Sequence, residues 1–216
     1  TKDFGRVSYM VARKRGKRSS VSQALFMPLS VLDLEVEHQN KRDIQRIKEV
    51  HLAFSASSFQ LDPVKNVLAL FLSEVLFRVV KDTQPDERMY AFLTDSVRIL
   101  DSVEQGLANF HVAFLLNLLH YLGIFPNVEH PRDALYFDML NGIFVCQQPT
   151  HPYYLQPAET VVFQRLLKMS YENMSLYAFS RQDRVRILHR IFEYYQLHLP
   201  DFKEIRSLQI LQSLFD

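Results

Sequence analysis

Between Arg13 and Arg18 the chain carries five cations in six positions: Arg13, Lys14, Arg15, Lys17 and Arg18, arranged around Gly16. Like charges at this density repel one another, and a polyanion relieves them. Lys and Arg meeting phosphates give salt-dependent, sequence-independent binding. A solvated loop can carry the same run, and both readings stand at this stage. Just before it, Val7, Tyr9 and Val11 alternate with Ser8, Met10 and Ala12, the pattern of a short strand. Tyr9 sits where an aromatic ring would stack on an unpaired base, or where it would fill a core.

Metal and covalent chemistry find less support. Cys146, His130 and His151 fall together in an irregular stretch, but a structural zinc site needs four N or S ligands, usually in close pairs, and Cys146 is followed by Gln147, Gln148 and Pro149. No metal or other cofactor is expected. There is no nucleophile elbow, no P-loop and no His-Glu-x-x-His, so an enzyme is not expected either. His111, His120, His189 and Glu74 read as satisfied groups of a core or groove. The pairs Tyr153-Tyr154 and Tyr194-Tyr195 read as packing.

The 216 residues, 48% hydrophobic, can build one ample core or a large domain with a small one attached. No run of eighteen apolar residues free of charge suggests a membrane span. The lone Cys146 excludes an internal disulfide framework and fits a reducing compartment. The formal charge of +1 hides a split. Residues 1–20 hold seven Lys or Arg against one acid, while residues 53–216 sum to −4. A basic front on a mildly acidic body assigns nucleic acid to the front.

Residues 1–52 read as β. Leu32, Leu34 and Val36 alternate strictly with Asp33, Glu35 and Glu37, as in a sheet with one buried face. Residues 44–52 fit a strand through Ile44, Arg46, Lys48, Val50 and Leu52, although Ile44 and Ile47 also fit a helix. The hairpin-like run at 39–43 favours the strand. From 55 onward the chain reads as α, with 55–60 as a linker. Asp62-Pro63 opens a helix to about Lys81 that is apolar on nearly every side and is expected to be surrounded. Further helices are expected over about 85–103, 107–122 (ended by Gly123), from Pro157, from Ser180 with its Asp183 capping box, and over about 202–215. Between them, Phe137 to Val145 predicts a tight hairpin turning at Asn141-Gly142, the preferred type I′ pair.

The order of these parts resembles the RecO family of bacterial recombination mediators. The resemblance runs from Thr1-Lys2-Asp3-Phe4-Gly5-Arg6-Val7, through the basic run ending in Lys17-Arg18-Ser19, to Pro28-Leu29-Ser30 and Arg46-Ile47-Lys48-Glu49. It continues in Leu122-Gly123-Ile124-Phe125-Pro126, in Gly142 to Cys146 and in Ile205-Arg206-Ser207-Leu208. It implies an α+β fold: a partial N-terminal OB-fold barrel over 1–54, then a mainly helical bundle over 55–216 with a degenerate zinc-ribbon-like region at 126–156. Many family members carry two Cys-x-x-Cys pairs in that ribbon. Here Phe137, Phe144, Tyr153 and Tyr154 are expected to hold it by packing. The family's barrel begins some two dozen residues earlier, so two strands are expected to be missing and the sheet open.

The resemblance further implies a non-enzymatic DNA-repair protein of the bacterial cytoplasm and nucleoid. Such a protein binds single- and double-stranded DNA, anneals strands, engages the acidic C-terminal tail of the single-stranded-DNA-binding protein, and helps load RecA with RecR. Carried onto this chain, DNA contacts fall on Arg6, Arg13, Lys14, Arg15, Lys17, Arg18, Lys41, Arg42, Arg46 and Lys48. Arg78, Lys81, Arg88 and Arg98 are candidates for the protein partner, whose tail needs an apolar slot with cations at its rim. The alternative is a helical interaction scaffold that binds no DNA itself.

Overall fold

The computed structural model describes residues 1–11, 25–39, 41–81, 84–129 and 133–214. In chain order the elements are β1 (Ser8–Met10), β2 (Val31–Glu37), β3 (Ile44–Phe54), α1 (Ser58–Leu61), α2 (Pro63–Val79), α3 (Glu87–Ser102), α4 (Phe110–Tyr121), β4 (Tyr136–Asp138), β5 (Ile143–Val145), β6 (Tyr154–Leu155), α5 (Pro157–Leu166), α6 (Arg181–His198) and α7 (Ser207–Leu214). The fold mixes helices with two small sheets. Two compact units form, residues 1–102 with 205–214, and residues 103–204. The border expected at 54–55 falls within the first unit, between β3 and α1.

In the first unit β3 lies between β1, its parallel neighbour, and β2, its antiparallel one. The alternation expected in β2 is present: Leu32, Leu34 and Val36 are half-buried, and Asp33, Glu35 and Glu37 are exposed. The ambiguity in the third strand has a physical cause. Val36 pairs with Ile47 but Glu35 pairs with Glu49, so Lys48 is an extra, bulged residue. The bulge moves the inward phase from Gln45 and Ile47 to Val50, and a sequence pattern in step with one half is out of step with the other. Among the described residues the sheet has three strands and does not close on itself.

Helix α2 starts as expected. The Asp62 carboxylate accepts from the N–H of Val64 (2.8 Å) and of Lys65 (3.4 Å), a cap worth about 1 kcal/mol. The stretch read as a linker ends in a short helix, α1, because Asp101 anchors it: one carboxylate oxygen accepts from both the N–H and the hydroxyl of Ser58, at 2.9 and 2.6 Å. The buried Lys65 ammonium donates to the Asp101 carbonyl at 2.6 Å, placing a cation at the negative end of α3. The expectation that α2 is surrounded fails at Leu70 and Phe77, both exposed. α7 packs along α2 and begins at Ser207 rather than near Phe202. Its first turn is set by Glu74 on α2, whose carboxylate accepts from the N–H of Arg206 (3.0 Å) and from the N–H (2.8 Å) and hydroxyl (2.6 Å) of Ser207.

In the second unit α4 is the helix that is buried on every side, from Phe110 through Leu116 and again at Leu118 and Leu119. Gly123, at φ +70°, ends it as expected. The N–H of Ile124 reaches the Leu119 carbonyl and that of Gly123 the His120 carbonyl, the paired bonds of a Schellman cap. α6 packs against α4, and the buried Tyr195 hydroxyl donates to the Leu115 carbonyl at 2.8 Å. Burial, with the charge of Arg184 adding to it, pushes His111 down to about 3, so its imidazole is neutral at ordinary pH.

The irregular region folds as a second sheet, ordered β5-β4-β6. The expected hairpin forms, with Phe137 opposite Phe144, but its turn is not type I′. That turn needs positive φ at both central residues, and only Gly142 (φ +67°) has it, Asn141 does not. A four-residue loop is closed instead by the Gly142 N–H on the Asp138 carbonyl at 2.8 Å. The Asp138 carboxylate accepts from the N–H groups of Leu140 and Asn141 (both 3.0 Å), from the Asn141 amide (2.8 Å) and from His151 (3.3 Å). Phe137 and Phe144 are buried and pack at 4.8 Å, whereas Tyr153 is exposed. Tyr154 is half-buried and meets Tyr136 edge-on at 5.8 Å, so three of the four expected rings pack, and the Asp138 polar lock joins them in place of Tyr153.

Candidate nucleic-acid interface and an apolar groove

The sequence directs attention to the segment that approaches β1. The Thr1 hydroxyl accepts from the Phe4 N–H and donates to the Gly5 carbonyl, both at 3.1 Å. Gly5 takes a left-handed turn at φ +59°, where a side chain would be strained. Phe4 stacks on His38 with ring centroids 4.0 Å apart. Arg6 then turns towards the C-terminus of α2. Its guanidinium donates to the carbonyls of Phe77 (3.1 Å) and Val80 (2.6 Å) and lies 4.6 Å over the Phe77 ring. Tyr9, half-buried on β1, has its hydroxyl pKa raised by desolvation. Arg13, Lys14, Arg15, Lys17 and Arg18 lie outside the described residues.

The other expected contacts cluster on the β2–β3 hairpin. Gln45, buried at the start of β3, accepts from the Gln39 N–H (2.8 Å) and donates to the carbonyls of Gln39 (3.0 Å) and Arg42 (2.6 Å). This staple fixes the connection that presents Lys41 and Arg42, both exposed. Arg46 and Lys48 are exposed along β3, and Met10 of β1 pairs with Arg46. The chain thus leaves β1 for its basic run beside Arg46. Acid crowds the other flank: Glu37 stands opposite Arg46, and Glu35 stands opposite Glu49. The cations form a path along β3 and its hairpin, bounded by carboxylates on β2.

The partner candidates are dispersed. Arg78 is 3.9 Å from Glu74 and Arg98 is 2.9 Å from Asp95, while Lys81 and Arg88 are exposed. None of the four lines the apolar groove of the second unit. That groove, about 390 Å³, runs between α5 and α6 over Leu155, Val162, Phe163, Leu166, Phe179 and Ile187. Its rim carries Arg186, Arg190, Glu159 and Asp183. Arg190 is paired, at 2.9 Å from Glu159 and 2.8 Å from Glu193, and Arg186 is exposed. The sequence held one signal of the groove, the apolar Val162 within a short helix. Nothing in either helix alone places it opposite Ile187. Among the described residues no three His, Cys, Asp or Glu side chains converge as a metal site, and no helix is long and apolar enough to cross a membrane. Cys146 bonds Asp133 at 3.3 Å.

The family model for "Recombination protein O C terminal" matches residues 60–208. The chain belongs to the RecO family. Its RecO relatives span nearly all of it. A protein named "DNA repair protein RecO" from Azobacteroides pseudotrichonymphae genomovar. CFP2 is 39% identical over 216 residues, covering 100% of this chain and 90% of the relative. One from Phocaeicola vulgatus is 37% identical over 215 residues, 100% of this chain and 89% of its own length. One from Bacteroides fragilis is 38% identical over 213 residues, 98% and 88%. The RecO match includes the groove and the ribbon, and the relatives extend the likeness through the first sheet.

Proposed function

We propose that the chain acts in DNA repair as a RecO-type mediator that does no chemistry on a substrate. In this reading the first sheet is part of an OB barrel. DNA, single- or double-stranded, runs over Arg13, Lys14, Arg15, Lys17 and Arg18 and along Lys41, Arg42, Arg46 and Lys48. The observation that supports the reading is the row of exposed cations on β3 and its hairpin, with Arg46 paired to Met10 at the end of β1, three residues before the basic run begins in the sequence. The α5–α6 groove is the place for the tail of the single-stranded-DNA-binding protein: its apolar end enters over Val162 and Phe163, and its carboxylates meet Arg186. RecR and RecA complete the assembly, with strand annealing and recombinase loading as its outcome.

The test is titration of a single-stranded oligonucleotide across a salt series. Reversing Arg13, Lys14 and Arg15 to Glu should weaken binding strongly and flatten the salt dependence, by about one log-log unit for each phosphate no longer neutralised. Unchanged affinity sinks the reading. The groove favours a second reading, a scaffold that binds protein alone. It predicts that the unmodified chain binds an acidic, aromatic-ended peptide, releases it on Val162→Glu, and ignores the oligonucleotide.

A further inference from the structure

We propose that Arg6 is a clamp rather than a phosphate contact: it fastens the approach to β1 onto the C-terminus of α2 and thereby holds β1 in place beside the cations of β3. The last turn of a helix leaves carbonyls without an amide donor, and their summed dipoles put negative charge there. Arg6 answers both. One of its terminal nitrogens donates to the carbonyls of Phe77 and Val80, at 3.1 and 2.6 Å, and the guanidinium carbon lies over the Phe77 ring, 4.6 Å from its centroid. Phe77 is 61% exposed and has no burial of its own to justify an aromatic ring there. The stacked cation supplies a reason for it.

Two further features make this a mounting and not a chance encounter. Phe4 stacks on His38 at the end of β2, so the segment before β1 is held at the sheet by one ring and at the helix by one guanidinium. Between them Gly5 turns at φ +59°, a bend that directs Phe4 and Arg6 to different anchors. Only Val7 separates Arg6 from Ser8, where pairing to β3 begins. The guanidinium is thus committed to backbone oxygens, and a phosphate could recruit it only by freeing two of them. Its contribution to DNA binding acts through the residues it positions, so the proposal rests on the DNA-binding reading above for its consequence, though not for the clamp itself.

Three variants separate a clamp from a phosphate contact. Arg6→Gln removes the charge, Arg6→Lys keeps the charge but gives up the planar fork and the stacking surface, and Phe77→Ala removes the ring while touching no charge. A clamp predicts that all three lower oligonucleotide affinity, by about tenfold for Arg6→Gln, with the salt slope unchanged, the size of effect expected when a pre-ordered segment must be ordered on binding. It also predicts that Arg6→Gln and Phe77→Ala together cost less than the sum of the two. A phosphate contact predicts instead that Arg6→Gln lowers the salt slope by about one while Arg6→Lys and Phe77→Ala leave affinity alone. That result overturns the proposal.

Amide exchange provides a readout that needs no DNA. Arg6→Gln should speed exchange at residues 7–10 while α4 keeps its protection, and unchanged exchange at 7–10 also overturns the clamp. If the unmodified chain binds no oligonucleotide, the functional reading falls and the exchange data still decide whether Arg6 clamps.

Discussion

Replacing Asp138 tests how a ribbon can stand here without metal. Its carboxylate, with 8% of the side chain exposed, gathers four donors from Leu140, Asn141 and His151. Hydrogen bonds to a charged group are worth about 1.5–3 kcal/mol each when made singly. Here they share one carboxylate that had to be desolvated, so they do not add in full. Asp138→Ala should therefore cost about 2–3 kcal/mol, or about 4–12 °C in Tm for a chain of this size. Asp138→Asn keeps an oxygen for the two backbone donors and should cost only about 1 kcal/mol, the charge-assisted part. The acidity of the group adds a second signature. Burial pushes the Asp138 carboxyl up, but the hydrogen bonds from Asn141 and His151 together outweigh it and hold it below its ordinary value of 3.8. A depressed carboxyl stabilises the fold above its unfolded pKa, and that stabilisation is lost as pH falls through the folded value. The Tm gap between the unmodified chain and Asp138→Ala should therefore be open at about pH 5 and above and narrow below about pH 4. Calorimetry across that range, with amide exchange at Gly142 and Phe144, measures both. A gap under 1 °C at pH 7, or one that does not narrow in acid, refutes the polar lock.

Glu74→Gln should loosen α7, because a neutral amide caps the Arg206 and Ser207 amides less well. The expected cost is about 1 kcal/mol, seen as faster proteolysis within 205–214. Gly106→Ala should destabilise the second unit by more than about 1 kcal/mol. Gly106 has φ +78°, and an added Cβ would stand 2.9 Å from the backbone N and Cα of Ser175, which cannot swing aside. The melting temperature of that variant checks it.

Local signals were the readable ones. Asp62-Pro63, Ser180 with Asp183, and Gly123 each mark a helix end through groups a few residues away, and each stands where the pattern put it. What escaped was decided from afar. The start of α7 is fixed by a carboxylate 133 residues earlier, and no propensity at Phe202 or Lys203 carries that information. The bulge at Lys48 depends on how β2 meets β3, so the apolar phase of β3 could not be followed through it. Asn141-Gly142 promised one turn, and Asp138 imposed another by capping the loop from inside. The groove was invisible because it belongs to no single segment, and nothing in the sequence around Arg6 points to the Phe77 and Val80 carbonyls that its guanidinium meets. Charge can be counted in a sequence, but whether a cation is already engaged cannot.

Glu74 and α7 also bear on the order in which the chain can be built. The first unit is interrupted: its last helix is made more than a hundred residues after the rest of it, and the second unit is inserted between. On a ribosome, residues 103–204 have all their own parts before the first unit does. Until residues 205–214 emerge, the Glu74 carboxylate has no amides to cap and the apolar side of α2 that packs against α7 stands bare. The nascent sheet and its basic run are then joined to an incomplete, adhesive body, a period in which chaperones have something to hold.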